Sequence, residues 1–275
     1  MMNTQGDKAE KFLDLHQRDG ILVLPNAFDV LSACLMADTG FEAVATTSGG
    51  CAFSLGYCDG ENIPRQEMVA AIARISHALD IPVSADMEAG FGRNAKNVSE
   101  TVQATIKAGA VGINIEDGQK NGPRALLDYD LSVERIKAAR LAIDQSGIKM
   151  FLNARTDAFM TGEEEPIEIA IKRSNAYLEA GADCAFVIVV SDKAQISKLA
   201  KEIDGPLNVL AGAKSPNIRE LEALGVKRVT FGSGFAKAGL SHIHNGLKEL
   251  KELGTYGWVE GTMGQPDIHR ILKHS

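Results

Sequence analysis

Residues 82–92, PVSADMEAGFG, predict both the fold of the chain and the position of its chemistry. The segment begins with small and β-branched residues, which are typical of a strand buried on both faces. It ends in Asp86 and Glu88, and two carboxylates spaced two residues apart on a strand project from the same face. Their repulsion is costly unless a proton or a cation compensates it. The segment therefore predicts a buried strand that ends at a metal site.

The composition is that of an ordinary globular protein and gives no sign of a nucleic-acid or membrane partner. The 275 residues are 45% hydrophobic and 24% charged, and the net charge of -7 provides no basic surface for nucleic acid. No run approaches about eighteen apolar residues, and the first residues lack the apolar core of a signal peptide, so we expect a cytoplasmic protein. The 4 cysteines show no C-x-x-C spacing, which argues against a zinc site or a disulfide framework.

Strand-like and helix-like patterns alternate along the chain. The predicted strands lie at 21–28, 42–48, 82–88, 111–117, 149–156, 184–190, 206–212 and 228–234. A predicted helix follows each strand, ending near 39 in the first case and then spanning 64–79, 97–108, 131–146, 166–180, 192–203, 216–224 and 235–250. Continuous apolar strands that alternate with helices indicate parallel pairing through right-handed crossovers.

Eight such units in about 230 residues predict an α/β fold, a closed (β/α)₈ barrel of the TIM type. A short helix at 7–18 precedes the first strand, and no glycine-rich dinucleotide fingerprint follows that strand, which counts against an open doubly wound sheet. We expect one domain over residues 1–275, with a helical extension at 251–275 that holds the single tryptophan.

In such a barrel the active site lies at the carboxyl ends of the strands. The residues at the predicted ends are Asn26, Thr46, Thr47, Ser48, Gly49, Asp86, Glu88, Glu116, Asp117, Asn153, Arg155, Asp157, Asn208 and Ser233. Asp86, Glu88 and Glu116 offer hard oxygen ligands without histidine or cysteine, a set suited to Mg²⁺ or Mn²⁺. Arg155 would hold the carboxylate or phosphonate of a substrate in a bidentate fork, and Asn208 is a further candidate for substrate binding.

Seven segments together resemble the isocitrate lyase and phosphoenolpyruvate mutase superfamily. They are LPNAFD (24–29), ATTSGG (45–50), SLGYCDGE (54–61), SADMEAGFG (84–92), GINIED (112–117), NARTDAF (153–159) and AGAD (180–183). The resemblance implies a (β/α)₈ barrel in dimers or tetramers that exchange the last barrel helix, with Mg²⁺ and a small 2-oxo acid at the strand ends. By position it implies that Asp86 and Glu116 bind the metal, with Glu88 acting through water. The residues that match the family's substrate segments are Ser48, Gly49, Gly50, Asp59 and Arg155.

The loop after the fourth strand departs from the family pattern. Isocitrate and methylisocitrate lyases carry K-K-C-G-H there, whereas this chain reads EDGQKNGPRALLDYD over 116–130, which counts against those two activities. The mutase and phosphonopyruvate hydrolase use lysine and asparagine in this loop. Lys120 and Asn121 offer the same residue types as catalytic groups, closer to Glu116 than the family pattern places them. The glycines on either side predict a mobile lid over the site.

Three functions remain open from the sequence. The leading one is a Mg²⁺-dependent lyase that cleaves a carbon–carbon bond in a small 2-hydroxy or 2-oxo acid through a metal-stabilised enolate. The second is phosphonate chemistry, as a phosphoenolpyruvate mutase or phosphonopyruvate hydrolase. The third is a catalytically weak 2-oxo-acid-binding protein, which the absence of the loop acid allows.

Overall fold

The computed structural model describes residues 4–120 and 124–273. The strands are β1 (Leu22–Leu24), β2 (Asn26–Ala27), β3 (Val44–Thr46), β4 (Val83–Asp86), β5 (Gly112–Glu116), β6 (Phe151–Thr156), β7 (Cys184–Val187), β8 (Leu207–Leu210) and β9 (Arg228–Thr230). They form one parallel sheet in the order β1, β9, β8, β7, β6, β5, β4, β3, β2. Pro25, which has no N–H to donate, separates β1 from β2, so the two halves of the first strand pair with opposite edges of the sheet. The sheet is therefore a nearly closed barrel, and the predicted (β/α)₈ fold is confirmed.

The helices of the described residues lie outside the sheet. They are α1 (Gln5–Gln17), α2 (Val30–Asp38), α3 (Ser48–Ser54), α4 (Arg65–His77), α5 (Ala95–Lys107), α6 (Tyr129–Ser146), α7 (Pro166–Glu179), α8 (Lys193–Glu202), α9 (Ile218–Ala223), α10 (Gly234–Leu253) and α11 (Gln265–Lys273). Side chains define several of their ends: Asp29 and Asn94 form capping boxes at the starts of α2 and α5, and Gly147 ends α6 in the left-handed region. None of these helices combines the length and the apolar character needed to cross a bilayer.

Two features of the sequence prediction are wrong in detail. The predicted strands at 42–48, 184–190, 206–212 and 228–234 are each longer than the strand that forms. Helix α3, which begins at Ser48 directly after β3, was not expected, because two of its first three residues are glycines and glycine disfavours helix. The helix starts there because the Thr47 hydroxyl accepts a hydrogen bond from the Gly50 amide.

Helix α1 closes the amino-terminal end of the barrel. Phe12 is fully buried and meets the ring of Phe151 edge-on at 5.6 Å, and the His16 ring stacks on Phe151 at 3.7 Å. His16 Nδ1 lies 2.7 Å from the Phe12 carbonyl oxygen, whereas its Nε2 is buried without a partner. Burial, assisted by the charge of Arg228, lowers the pKa of His16 to about 3.

Arg228 is a fully buried cation at the same end of the barrel. Its Nη2 donates to Ser84 Oγ at 3.2 Å, and its Nε and Nη1 have no hydrogen-bond partner among the described residues. No carboxylate lies within ion-pair distance of it in that part of the chain. Burial therefore lowers the pKa of Arg228 to about 10.

Helix α10 leaves the barrel instead of packing on it. Of its side chains only Ala236 is buried, and Gly246 is covered by the ring of Trp258 from the chain that follows. An apolar stripe along the helix is exposed: Leu240, Ile243, Leu247 and Leu250. Helix α11 returns to the barrel, where Ile271 is buried and Arg270 pairs with Asp38 of α2.

Candidate active site

Three acids lie at or just after the carboxyl ends of two neighbouring strands. Asp86 is the last residue of β4, Glu88 follows two positions later, and Glu116 is the last residue of β5. Their exposed fractions are 9%, 1% and 3%, so all three carboxylates are largely removed from water. Buried carboxylates require hydrogen bonds, cations or protons in compensation, and each of these acids obtains a different kind.

Asp86 is held by the residue that begins α3. Its Oδ2 accepts hydrogen bonds from the Ser48 amide at 3.1 Å and the Ser48 hydroxyl at 2.8 Å. The Asp86 amide in turn donates to Thr46 Oγ1 at 3.0 Å. The second carboxylate oxygen, Oδ1, is buried without a hydrogen-bond partner. The structure thus joins the predicted substrate-binding serine to a predicted metal ligand.

Glu88 lies in a strained and interlocked turn. Glu88, Glu61 and Phe91 all have left-handed backbones, with φ of +50°, +59° and +54°. Glu88 Oε2 accepts from the Glu61 amide at 2.8 Å, and Glu61 Oε1 accepts from the Phe91 amide at 2.7 Å, so these bonds hold the unfavourable conformations in place. Burial raises the pKa of Glu88 to about 7, although the charge of Lys120 opposes the shift. Glu88 Oε1 has no hydrogen-bond partner within the described part of the chain.

Glu116 is compensated by two cationic side chains. Arg155 Nη1 lies 2.7 Å from Glu116 Oε2, and the Lys120 ammonium pairs with Oε1. The same ammonium is 3.3 Å from Glu88 Oε2. Lys120 therefore joins the two glutamates, a position that sequence spacing alone did not indicate.

Arg155 has less freedom to bind a substrate than the sequence suggested. Its Nε donates to Asp157 Oδ1 at 2.6 Å, and its Nη1 holds the glutamate described above. Nη2 is 3.7 Å from the sulfur of Met160 and is the nitrogen with the weakest partner. Burial favours the neutral guanidine, but the charges of Asp157 and Asp86 outweigh it and raise the pKa of Arg155. A bidentate fork on a substrate would require one of these acids to release it.

The two glycines after Ser48 provide close approach. A Cβ on Gly49 would lie 2.9 Å from Ser233 Oγ and 3.0 Å from Asp59 Oδ2, so only glycine lets these polar groups reach the backbone here. A Cβ on Gly50 would lie 2.6 Å from Thr47 Cγ2. The Thr47 and Ser233 hydroxyls are 2.9 Å apart. Asp59 is thereby brought to the rim next to Gly49, where the sequence placed it.

The structure does not gather the predicted residue Asn208 into this cluster. Asn208 is the second residue of β8 and not its end, is fully buried, and has both amide atoms without a hydrogen-bond partner. Its register partner is Arg228, towards the amino-terminal end of the barrel. Its role in substrate binding remains a prediction, and Asn121 lies outside the described residues.

The loop predicted to act as a lid begins and ends in a short antiparallel pairing. Gly118 and Leu126 form an antiparallel bridge, and the Gln119 amide donates to the Ala125 carbonyl at 2.8 Å. The bridge places the Lys120 side chain next to Glu88 and Glu116. Whether the segment opens and closes remains a prediction.

A buried network beneath the acids escaped the sequence analysis. Asp117 accepts from Tyr177 Oη at 2.7 Å, from Arg173 Nη1 at 3.2 Å and from the Asp157 amide at 2.8 Å, and burial raises the pKa of its carboxyl. It fixes the ends of β5 and β6. This network leaves no local sequence pattern, because Arg173 and Tyr177 lie on α7, far along the chain from Asp117. Glu61 was also missed, although it ends the quoted segment SLGYCDGE.

The acids fit a Mg²⁺ or Mn²⁺ ion that keeps part of its water shell. Within residues 4–120 and 124–273 no three histidine, cysteine or acidic side chains are gathered closely enough to enclose a metal. Mg²⁺ needs only one or two carboxylates together with waters and substrate oxygens. Asp86 Oδ1 and Glu88 Oε1 are buried oxygens without hydrogen-bond partners, and the donor set is entirely hard oxygen. Asp86, Glu88 and Glu116 are therefore the residues that would hold the ion.

The family model for phosphoenolpyruvate phosphomutase matches residues 12–251. The chain belongs to this family. Two relatives illustrate its range: 2,3-dimethylmalate lyase of Eubacterium barkeri is 35% identical over 82% of this chain and 78% of its own length, and carboxyvinyl-carboxyphosphonate phosphorylmutase of Arabidopsis thaliana is 32% identical over 89% and 75%. A crystal structure from Burkholderia cenocepacia J2315, provisionally assigned to a lyase/mutase, has a TM-score of 0.93 and 37% identity, and the match covers 98% of this chain and 97% of that one.

These comparisons confirm three predictions from the sequence. The resemblance to the isocitrate lyase and phosphoenolpyruvate mutase superfamily is borne out, as is the barrel. The chain is an enzyme of the lyase and mutase type, since relatives of both kinds match most of it. Two lyases among its relatives are named for small organic acids, 2,3-dimethylmalate and 2-methylisocitrate.

Proposed function

We propose that the protein is a Mg²⁺- or Mn²⁺-dependent lyase that cleaves the carbon–carbon bond of a small 2-hydroxy or 2-oxo acid. The observation that carries the proposal is the set of Asp86, Glu88 and Glu116, buried at adjacent strand ends with two carboxylate oxygens that have no partner in residues 4–120 and 124–273. A bound divalent cation would supply positive charge to the substrate carboxylate and to its 2-hydroxy or 2-oxo oxygen, which carries negative charge once a 2-hydroxy acid has lost its proton or once a bond at C3 of a 2-oxo acid breaks.

The side chains around the acids suit the remaining tasks. Arg155 Nη2 is the guanidinium nitrogen available to a substrate carboxylate, and the Ser48–Gly49 backbone offers a small surface for the 2-oxo group. In a 2-hydroxy acid the hydroxyl loses a proton, the C2–C3 bond breaks, and C3 takes a proton as the 2-oxo product forms. Asp59, at the rim beside Gly49, is the base we propose, and Lys120, whose ammonium lies 3.3 Å from Glu88 Oε2, is the proton donor we propose for C3.

A turnover screen tests this function. We expect Mg²⁺-dependent release of a pyruvate-like product from one of 2,3-dimethylmalate, 2-methylisocitrate or oxaloacetate, abolished by chelation and strongly reduced in Asp59→Asn. Because one relative is a phosphorylmutase, phosphonopyruvate belongs in the same screen, and its turnover would favour phosphonate chemistry instead. Binding of oxalate or pyruvate without any turnover would replace the enzyme with a 2-oxo-acid-binding protein.

We also infer that α10 packs on a second copy of the chain. Its exposed apolar stripe includes Ile243 and Leu247, 58% and 60% exposed. A matching apolar groove of about 510 Å³ lies beside α2, lined by Phe28, Leu31 and Leu35 among others. The eighth helix of a barrel would pack next to α2, and this chain's own α10 does not fill that place. Exchange of α10 within a dimer, or within a tetramer built from dimers, would cover both apolar surfaces.

Sedimentation velocity tests the exchange. The double variant Ile243→Asp/Leu247→Asp should be a monomer, because two charges would be buried in the apolar groove beside α2. His244→Asp, an exposed position on the same helix, is the matched control and should leave the oligomer intact. Unchanged sedimentation of the double variant would contradict the exchange.

A cytoplasmic location also remains a proposal, supported by the unpaired state of all four cysteines.

A further inference from the structure

The Lys120 side chain occupies the space between two of the proposed metal ligands. Its ammonium lies 3.3 Å from Glu88 Oε2 and pairs with Glu116 Oε1, and the two glutamate side chains are each 1% exposed. Carboxylates buried to this extent need a cation close by, since an uncompensated buried charge is strongly destabilising. Lys120 supplies that cation from within the chain.

A divalent cation held by Glu88 and Glu116 would depend on the same carboxylate charges that Lys120 balances. Mg²⁺ binds carboxylate oxygens at about 2.0–2.1 Å, and an ion on Glu88 Oε2 or Glu116 Oε1 would share that oxygen with the Lys120 ammonium. Two cations this close repel strongly where little water screens them. The ammonium and the metal therefore exclude each other from this position.

A neighbouring cavity offers Lys120 a second position. It has a volume of about 140 Å³ and is lined by Lys120 itself, Glu61, Arg93 and Arg135, among others. The space exceeds what a water molecule needs, so it accommodates an ammonium group with solvent. Glu61 provides a carboxylate there, while the two arginines weaken the attraction, so Lys120 would enter the cavity without being trapped in it.

We propose that Lys120 is a built-in counter-ion of Glu88 and Glu116 that a divalent metal displaces into this cavity. The inference rests on the proposed metal site. It makes Lys120 a determinant of metal affinity, and it releases the ammonium for contact with a substrate only after the metal has bound. Metal binding and the availability of Lys120 become a single coupled event.

Calorimetric titration with MgCl₂ tests the competition. Lys120→Gln should bind Mg²⁺ about 10–100-fold more tightly than the wild type, because no ammonium has to leave. Lys96→Gln, an exposed lysine on α5, changes the net charge equally and should shift the affinity by no more than about threefold. If Lys120→Gln folds poorly without metal, a larger Mg²⁺-induced rise in its Tm reports the same gain in affinity.

Reductive methylation followed by mass spectrometry tests the displacement directly. Saturating Mg²⁺ should increase modification of Lys120 in the wild type and leave that of Lys96 unchanged. Equal Mg²⁺ affinities for the wild type and Lys120→Gln, with modification of Lys120 unaffected by Mg²⁺, would overturn the inference and leave the proposed function standing. Failure of every variant to bind Mg²⁺ would overturn the metal site and the inference together.

Discussion

The two ends of the barrel both bury charged side chains, but they treat them differently. At the carboxyl end Asp86, Glu88 and Glu116 are matched by Arg155 and Lys120, and two carboxylate oxygens have neither a hydrogen bond nor an ion pair among the described residues. At the amino end Arg228 has a serine hydroxyl as its hydrogen-bond partner and no acid within ion-pair distance in the described residues.

The difference distinguishes a candidate binding site at the carboxyl end from a structural arrangement at the amino end. A bound cation would stabilise clustered acids whose oxygens lack partners, so the burial of these acids favours cation binding. Arg228 and His16 instead carry pKa values lowered mainly by burial, and α1 closes that end with Phe12. This agrees with the general division of such barrels, in which the carboxyl end carries activity and the amino end stability.

Removing one acid at the carboxyl end should have the largest effect. Asp86→Asn should lower kcat/KM by about 10³-fold on the substrate found in the screen, since the variant loses charge where the transition state needs a cation. Its free energy of unfolding in urea should not fall, because relief of carboxylate repulsion offsets the lost contacts. Near-wild-type turnover of the variant would remove the distinction between the two ends.

Substitution of the arginine at the same end should have the next largest effect. Arg155→Lys keeps the charge but loses the planar donors to Glu116 and Asp157, and should reduce transition-state stabilisation by about 1.5–3 kcal/mol. Steady-state kinetics measures this loss as a fall in kcat/KM. Arg219→Lys, exposed on α9 and outside the site, is the control and should remain close to wild type. Wild-type kinetics in Arg155→Lys would assign Arg155 to the scaffold.

At the amino end, removing a buried charge should instead stabilise the protein. Arg228→Met removes a buried cation without an acidic partner and keeps much of its apolar stem, so the free energy of unfolding should rise by about 1–3 kcal/mol. Urea denaturation measures the change. A variant less stable than the wild type would show that Arg228 has a compensating partner, and the two ends would then be alike in charge balance.

The pH dependence of stability gives the smallest of these effects. The pKa of His16 is about 3 in the folded protein, below the ordinary value of 6.5, so the folded state binds fewer protons and stability falls as the pH drops below 6.5. Between pH 7.5 and 5 the wild type should lose about 1–2 kcal/mol more than His16→Asn, allowing for the partial exposure of the ring. His269→Asn, exposed on α11, should behave as the wild type. Parallel pH profiles for the wild type and His16→Asn would contradict the shift.

The sequence predicted the barrel because its strands are continuous apolar runs separated by helical patterns. It misjudged strand ends because an apolar run continues past the last ladder hydrogen bond, as at Val189, which follows β7 with φ of +65° and is 54% exposed. Helix α3 was missed because the cap on Gly50, not helix propensity, starts it.

From the strand pattern alone, candidate site residues could be predicted only at strand ends, whereas the family resemblance indicated Asp59 and Lys120. Asp86, Glu88 and Glu116 were found in this way, because parallel strands bring their ends together. The position of Lys120 between two glutamates depends on the bridge at Gly118, and the support of Asp117 by Tyr177 joins residues far apart in the chain. Contacts of this kind follow from tertiary packing and leave no local pattern.

Calorimetric binding of Mg²⁺ to the wild type and to Asp86→Asn tests the central claim most directly. The account predicts saturable one-to-one binding to the wild type, its loss or a weakening of at least about 100-fold in Asp86→Asn, and no change in Asp204→Asn, an exposed acid outside the cluster. Equal affinities for the wild type and Asp86→Asn would contradict the assignment of the carboxyl end as a metal site.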